Sequence, residues 1–142
     1  MFNKILVALD GSDISMKALG AAIDEAKVWK ADLHAVYVVE TGMLASIPPD
    51  NIQESIYSLL EKEGNDIITE SVKRAAASGI TLTSHIAEGH AGSMILDVAR
   101  EVGADIIVLG STGKSNIDRL LVGSVTSYVV RHSDITTLVV RS

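Results

Sequence analysis

The chain has 142 residues, 47% of them hydrophobic, a mean hydropathy of +0.31 and a formal net charge of −6. That length suits one compact domain with a core needing no staples, and the apolar content excludes a disordered chain. The acidic balance argues against a nucleic-acid binder, which needs a basic stripe to displace counterions, and the absence of cysteine excludes disulfides and thiolate metal sites.

The first predicted element is a short strand, Lys4 to Asp10, rich in β-formers and ended by an Asp-Gly-Ser turn signal. It follows a start with one lysine and no signal-peptide pattern, and no later apolar run approaches the ~18 residues needed to span a bilayer. The cytoplasm is therefore the expected location. From Asp13 to Lys30, Leu19, Ala22, Ala26 and Trp29 recur at helical spacing, with Ser12 or Asp13 as N-cap. A second strand is expected over Asp32 to Glu40. The stretch from Thr41 to Asn51 then breaks all periodicity with a glycine and two prolines, and Met43 to Asn51 within it reads equally as a lid or a plain variable loop.

Asn51 to Ser78 carries Ile52, Ile56, Leu60, Ile67 and Val72 as a long helical pattern, interrupted by Gly64 at a cost of about 1 kcal/mol relative to Ala. Gly79 suits the residue just past its end. Thr81 to Ala87 alternates as a third strand. A helix opened by Gly92 and Ser93 stops at Gly103. Ala104 to Gly110 is nearly all apolar, as in a strand buried on both faces. Val122 to His132 reads as a helix and Ile135 to Val140 as a last strand. Five strands alternating with helices imply one α/β domain over residues 1–142, with a parallel sheet covered on both faces.

The fourth strand runs into GSTGKS, which has the second half of a P-loop. The first glycine of that motif would fall at position 108, which is Val108 inside the strand, so the phosphate-wrapping loop cannot form. A dinucleotide fingerprint fails for the same reason. What remains is Gly110, two residues, Gly113, nine residues, then Gly123 and Ser124. Gly110 leaves the backbone open to a ligand, Gly113 permits an anion nest, and Gly123-Ser124 sets amides at a helix N-terminus, where phosphate is favoured. The same glycines also suit ordinary turns, and spacing alone does not choose between the two.

The whole chain resembles the universal stress protein family, through ILVALDGS, VYVVE, AEGHAG and above all ADIIVLGSTGKSNIDRLLVGSVTSYVVRHSDITTLVVRS. The last segment carries the family's G-2x-G-9x-G-[ST] pattern, which marks its ATP-binding branch. The resemblance implies a Rossmann-like three-layer α/β sandwich whose five-stranded parallel sheet runs in the order 3-2-1-4-5. It also implies a homodimer paired through Ile135 to Val140.

By the same resemblance, adenine would lie near Ala8, Leu9 and Val38, with the Val38 backbone as its partner. Asp10 would stand close to the nucleoside and Leu109 to Gly110 would line the ribose. Gly113, Gly123, Ser124 and Val125 would hold the phosphates, with Ser111, Thr112, Lys114 and Ser115 at the rim. Mg2+ or Mn2+ would be held through the phosphates. Ala8 stands where proline is common in the family, and Thr112 where many relatives have His or Arg, which puts one phosphate contact in doubt.

ATP, with ADP or AMP as alternatives, is thus the expected ligand, and a regulatory switch acting on a protein partner the favoured function. A site of amides, hydroxyls and one lysine offers no carboxylate pair for metals and no evident base. The four histidines share no metal-ligand spacing; His34 and His85 lie in strand patterns and read as structural, while His90 could reach the crevice. The competing readings are a slow metal-dependent ATPase and a dimeric interaction module without a physiological nucleotide. No nucleic-acid or membrane partner is expected.

Overall fold

The computed structural model describes residues 1–42, 44–48, 51–112 and 122–142. Its elements in chain order are β1 (Lys4–Leu9), α1 (Asp13–Trp29), β2 (Asp32–Glu40), α2 (Asn51–Ala77), β3 (Leu82–Gly89), α3 (Ala91–Val102), β4 (Ile106–Gly110), α4 (Ser124–His132) and β5 (Thr136–Val140). All neighbouring strands pair in parallel, in the order β3-β2-β1-β4-β5. Both the α/β sandwich and the strand order agree with expectation.

Alternation along each strand divides the core between the two faces of the sheet. Ile5, Val7, Leu9, Leu33, Ala35, Tyr37 and Val39 point to the side covered by α1 and α2. Leu6, Val36, Ile107 and Leu109 point to the side covered by α3 and α4. All five residues of β4 are buried, as its unbroken apolar run requires.

Local chemistry sets most boundaries. Ser12, extended at φ −67°, caps α1 by accepting the Ser15 amide at 3.2 Å. Lys30 ends that helix in the left-handed region at φ 53°, so α1 stops one residue earlier than its periodicity suggests. β4 starts at Ile106 instead of Ala104, because the Asp105 carboxylate is engaged with the amides of Asn3 (2.8 Å) and Lys4 (3.2 Å). α4 starts at Ser124 instead of Val122, because Gly123 is extended and serves as N-cap. β3 runs on to Gly89, since Glu40 of β2 still has a pairing partner there.

α2 departs most from the sequence pattern. Ile52 and Val72, expected on its apolar stripe, are 61% and 37% exposed. The buried positions are Gly64, Ile68, Ser71 and Ala75, three of them small. Small residues bring this helix close to the sheet, and Gly64 sits against the ring of Tyr37 on β2. A Cβ at position 64 would stand 2.5 Å from Tyr37 Cδ1 and 2.7 Å from Cε1. The glycine that looked like a helix defect is the point of closest approach between two layers.

Gly64→Ala is therefore expected to destabilise the fold, although alanine favours the helix by about 1 kcal/mol. Overpacking a filled core costs typically ~1–3 kcal/mol, so urea unfolding should show a net loss. A midpoint equal to or above that of the parent chain would show that the Tyr37 ring yields freely.

Candidate functional site

β1 and β4 are adjacent, yet the helices that follow them leave to opposite faces, α1 to one and α4 to the other. A crevice opens beyond the strand ends where connections diverge in this way. Here it is a cavity of about 490 Å³ on the α3–α4 side. Its walls come from Ala8, Leu9 and Asp10 after β1; Val36, Val38 and Glu40 of β2; Ala91 and Ile95 of α3; and Leu109, Gly110 and Thr112 of β4 and beyond. The start of α4 completes it with Gly123, Ser124, Val125 and Thr126.

The β1 turn is built by short-range hydrogen bonds. Asp10 Oδ1 accepts the Ser12 amide at 2.9 Å, and Gly11 takes φ 84° to let the chain reverse. Ser15, nearly buried, accepts the Asp10 amide at 3.3 Å and donates its hydroxyl to the Ser12 carbonyl at 3.0 Å. Asp10 is thus a turn former and a cavity wall at once, with Oδ2 unengaged among the described residues.

The opposite wall depends on one residue. The amide of Ser111 donates to the Val140 carbonyl at 2.8 Å, and its carbonyl accepts the Gly123 amide at 2.7 Å. That second bond brings the two ends of the glycine segment together, so Thr112 and Ser124, twelve apart in sequence, border one cavity. The Thr126 hydroxyl donates to the Gly110 carbonyl at 2.6 Å and holds the first turn of α4 over the end of β4. Gly123 offers no side-chain cap, and among the described residues nothing accepts the first-turn amides of Ser124, Val125 and Thr126.

Two roles suggested by the sequence change here. Gly110 was expected to open the backbone to a ligand, but its missing side chain makes room for α1. A Cβ there would lie within van der Waals overlap of Ile14 Cγ2 and 3.3 Å from the Ile14 carbonyl carbon. Gly123 was expected to offer a free amide, but Ser111 already takes it.

Of the other expected site residues, Ala8, Leu9, Asp10, Val38, Leu109, Thr112, Ser124 and Val125 surround the one cavity. Ser111 is 2% exposed and stands behind the wall. Gly113, Lys114 and Ser115 lie outside the described residues. His90 caps α3, where its Nδ1 accepts the Ser93 amide at 3.2 Å, and it is not among the cavity residues.

Glu40 is the residue that sequence reading missed. Its Oε2 accepts the amide of Ala91, the first residue of α3, at 3.0 Å. The signal was present, because Glu40 is an acid at the carboxyl end of a strand beside the crevice. Thr112 has a different interest: its hydroxyl oxygen is buried and has no hydrogen-bond partner among the described residues. An orphaned buried hydroxyl costs free energy unless a ligand or water satisfies it.

The cavity is consequently polarised. Carboxylates of Asp10 and Glu40 lie on its β1–β2 side, and the Thr112 hydroxyl and the α4 amides lie on its β4 side. An anion is favoured at the second side and repelled at the first. Among the described residues no three His, Cys, Asp or Glu side chains are grouped to hold a metal, and no helix is long and apolar enough to cross a membrane.

Comparison with known proteins gives the same architecture. The model of the universal stress protein family matches residues 1–141. The universal stress protein YxiE of Bacillus subtilis is 38% identical over 99% of this chain and 100% of its own length. The structure of universal stress protein UspA from Lactobacillus plantarum superposes with a TM-score of 0.90, at 31% identity over 98% of this chain and 97% of the other. A universal stress protein solved in complex with cAMP superposes at 0.75, with 29% identity over 99% and 97% of the two chains. With its glycine spacing, strand order and crevice, this chain belongs to the universal stress protein family.

Proposed function

We propose that this protein binds ATP, or a related adenine nucleotide, in the cavity between β1 and β4 and uses it as a switch for partner binding. What carries the reading is the separation of charge within the cavity. Phosphates belong on the β4 side, against the amides of Ser124, Val125 and Thr126 and the Thr112 hydroxyl, which has no partner among the described residues. The carboxylate side repels them, so the nucleoside takes the space beside Asp10, Val38 and Glu40. The small side chain of Ala8 leaves room for a flat base over the sheet, between Val36 and Leu109. The cAMP complex of a relative supports an adenine ligand in this family.

In this reading the Val38 backbone pairs with the base, Asp10 meets the ribose, and Gly113, Lys114 and Ser115 complete the phosphate end. Mg2+ or Mn2+ is carried by the phosphates, since the described part of the cavity supplies no cluster of metal ligands. Nucleotide can act as a switch only through different affinity for two states of the protein. The contacts that would differ are those at the glycine segment, whose two ends meet at the Ser111–Gly123 hydrogen bond.

The proposed site also goes with a homodimer through β5. This strand is a sheet edge with half-buried Thr137, Leu138, Val139 and Val140. An edge rich in β-formers needs covering, and a second copy covers it by strand pairing.

Calorimetry with Mg-ATP should give a saturable heat, and Thr112→Val should weaken binding by about 0.5–1.5 kcal/mol, roughly two- to tenfold. No heat at millimolar ATP would remove the nucleotide reading, and an unchanged affinity in the variant would remove Thr112 from the site. Sedimentation equilibrium should return twice the 15.0 kDa chain mass. A monomer at all concentrations would leave the β5 edge without its proposed cover.

A further inference from the structure

On the far side of the sheet from β5, two histidines meet. His34 is on β2 and His85 on the edge strand β3, and His34 Nδ1 lies 3.0 Å from His85 Nε2. The register pairs His34 with Thr83 and Val36 with His85, which puts both rings on the α3 side of the sheet. Neither residue lines the nucleotide cavity. We infer that His34 and His85 share a single proton as a clasp between β2 and β3, and that a second proton opens it, loosening the edge strand in acid.

The ring geometry separates a proton from a metal. The ring planes differ by 18° and their centroids are 5.2 Å apart. That separation is just short of its geometric maximum, the N···N distance plus the two ring radii. The two nitrogens therefore lie almost on the line joining the centroids, and the rings meet edge to edge in nearly one plane. In that arrangement each lone pair points at the other nitrogen, as in an N–H···N hydrogen bond. Chelation would need both lone pairs to converge on a third point, and no third ligand is grouped with them among the described residues.

An N–H···N bond needs one donor and one acceptor, so at most one of the two facing nitrogens carries a hydrogen. When both rings are cationic, two N–H groups and two positive charges oppose each other at a half-buried site. Burial is the main cause that lowers the His34 pKa below 6.5, with His85 next; Asp32 opposes the shift and Lys4 adds to it. These groups reach His34 from β1, β2 and β3. α3, packed over this face, carries Asp97, Arg100 and Glu101; Asp97 and Arg100 pair with each other at 3.5 Å, and none of the three is among the groups acting on His34.

The sign follows from proton uptake. Below pH 6.5 the unfolded chain protonates His34 before the folded chain does. The stability the clasp contributes is thus complete above pH 6.5 and is lost as pH falls through the lowered folded value. β3 leads through Gly89 and His90 into α3, whose Ala91 and Ile95 wall the cavity, so the loosened strand is joined directly to that wall.

The experiment is amide hydrogen exchange of residues 83–87 at pH 7.5 and 5.5, corrected for intrinsic rates, in the wild type and in His85→Gln and His34→Gln. Glutamine offers a donor or an acceptor to the remaining ring, so each variant keeps a clasp that acid does not open. Corrected exchange should rise on acidification in the wild type and stay nearly level in the variants. Equal acid responses in all three chains would overturn the inference. Should neither variant fold, imidazole titration of the wild type by NMR decides: a His34 value clearly below 6.5 supports the clasp, and ordinary values for both rings overturn it. Zn2+ added at neutral pH should leave β3 exchange unchanged; protection at equimolar Zn2+ would make the pair a metal site instead.

Discussion

The site depends on a constraint of chain direction. In a parallel sheet every strand must be followed by a crossover, and the crossovers are right-handed. Strands added outward from β1 on one side and from β4 on the other therefore send α1 and α4 to opposite faces. No connection can close the gap between the two departure points, so a crevice persists beyond the carboxyl ends of β1 and β4 however well the rest is packed. The amides at the start of α4 and the turn after β1 are left to line it.

Within that crevice, side chains matter more for where charge is absent than for where it is present. The β4 side has no charged residue among those described; it has amides, a hydroxyl and a helix start. Asp10 and Glu40 lie on the other side, each holding an amide with one oxygen, that of Ser12 and that of Ala91. Both acids thus brace the wall in the folded chain. The glycines have divided roles. Gly110 serves the packing of Ile14, and Gly123 serves the closure with Ser111, so neither simply exposes backbone to a ligand.

The two edges of the sheet are handled differently. β5 carries Leu138, Val139 and Val140 only half-buried. β3 is more polar: Tyr57 of α2 donates to Glu88 at 2.7 Å, and His85 meets His34. Side-chain bonds from two neighbours tie β3 in place, whereas the partly exposed side chains of β5 include three apolar ones. The contrast follows from sequence, since Thr83, His85 and Glu88 fall where β5 has Leu138 and Val139.

Much of the fold was legible in the sequence because it depends on short-range patterns. The β4 run, the Ser12 cap and the Gly103 stop are each set by a few adjacent residues, and the alternation of elements follows from them. The spacing of Gly110, Gly123 and Ser124 also pointed to residues that line one cavity at the end of β4. Contacts between distant segments were not legible. Ile52 and Val72 matched a helical stripe, yet Gly64 and Ser71 face the sheet, because the interlayer distance selects small residues there. Glu40 with Ala91, Ser111 with Gly123 and His34 with His85 pair residues 51, 12 and 51 positions apart. The sequence by itself determined the elements and the end of the sheet where the crevice opens. Only the tertiary structure decided which amides stay free and which glycines merely make room, because both depend on what the packed layers bring opposite each residue.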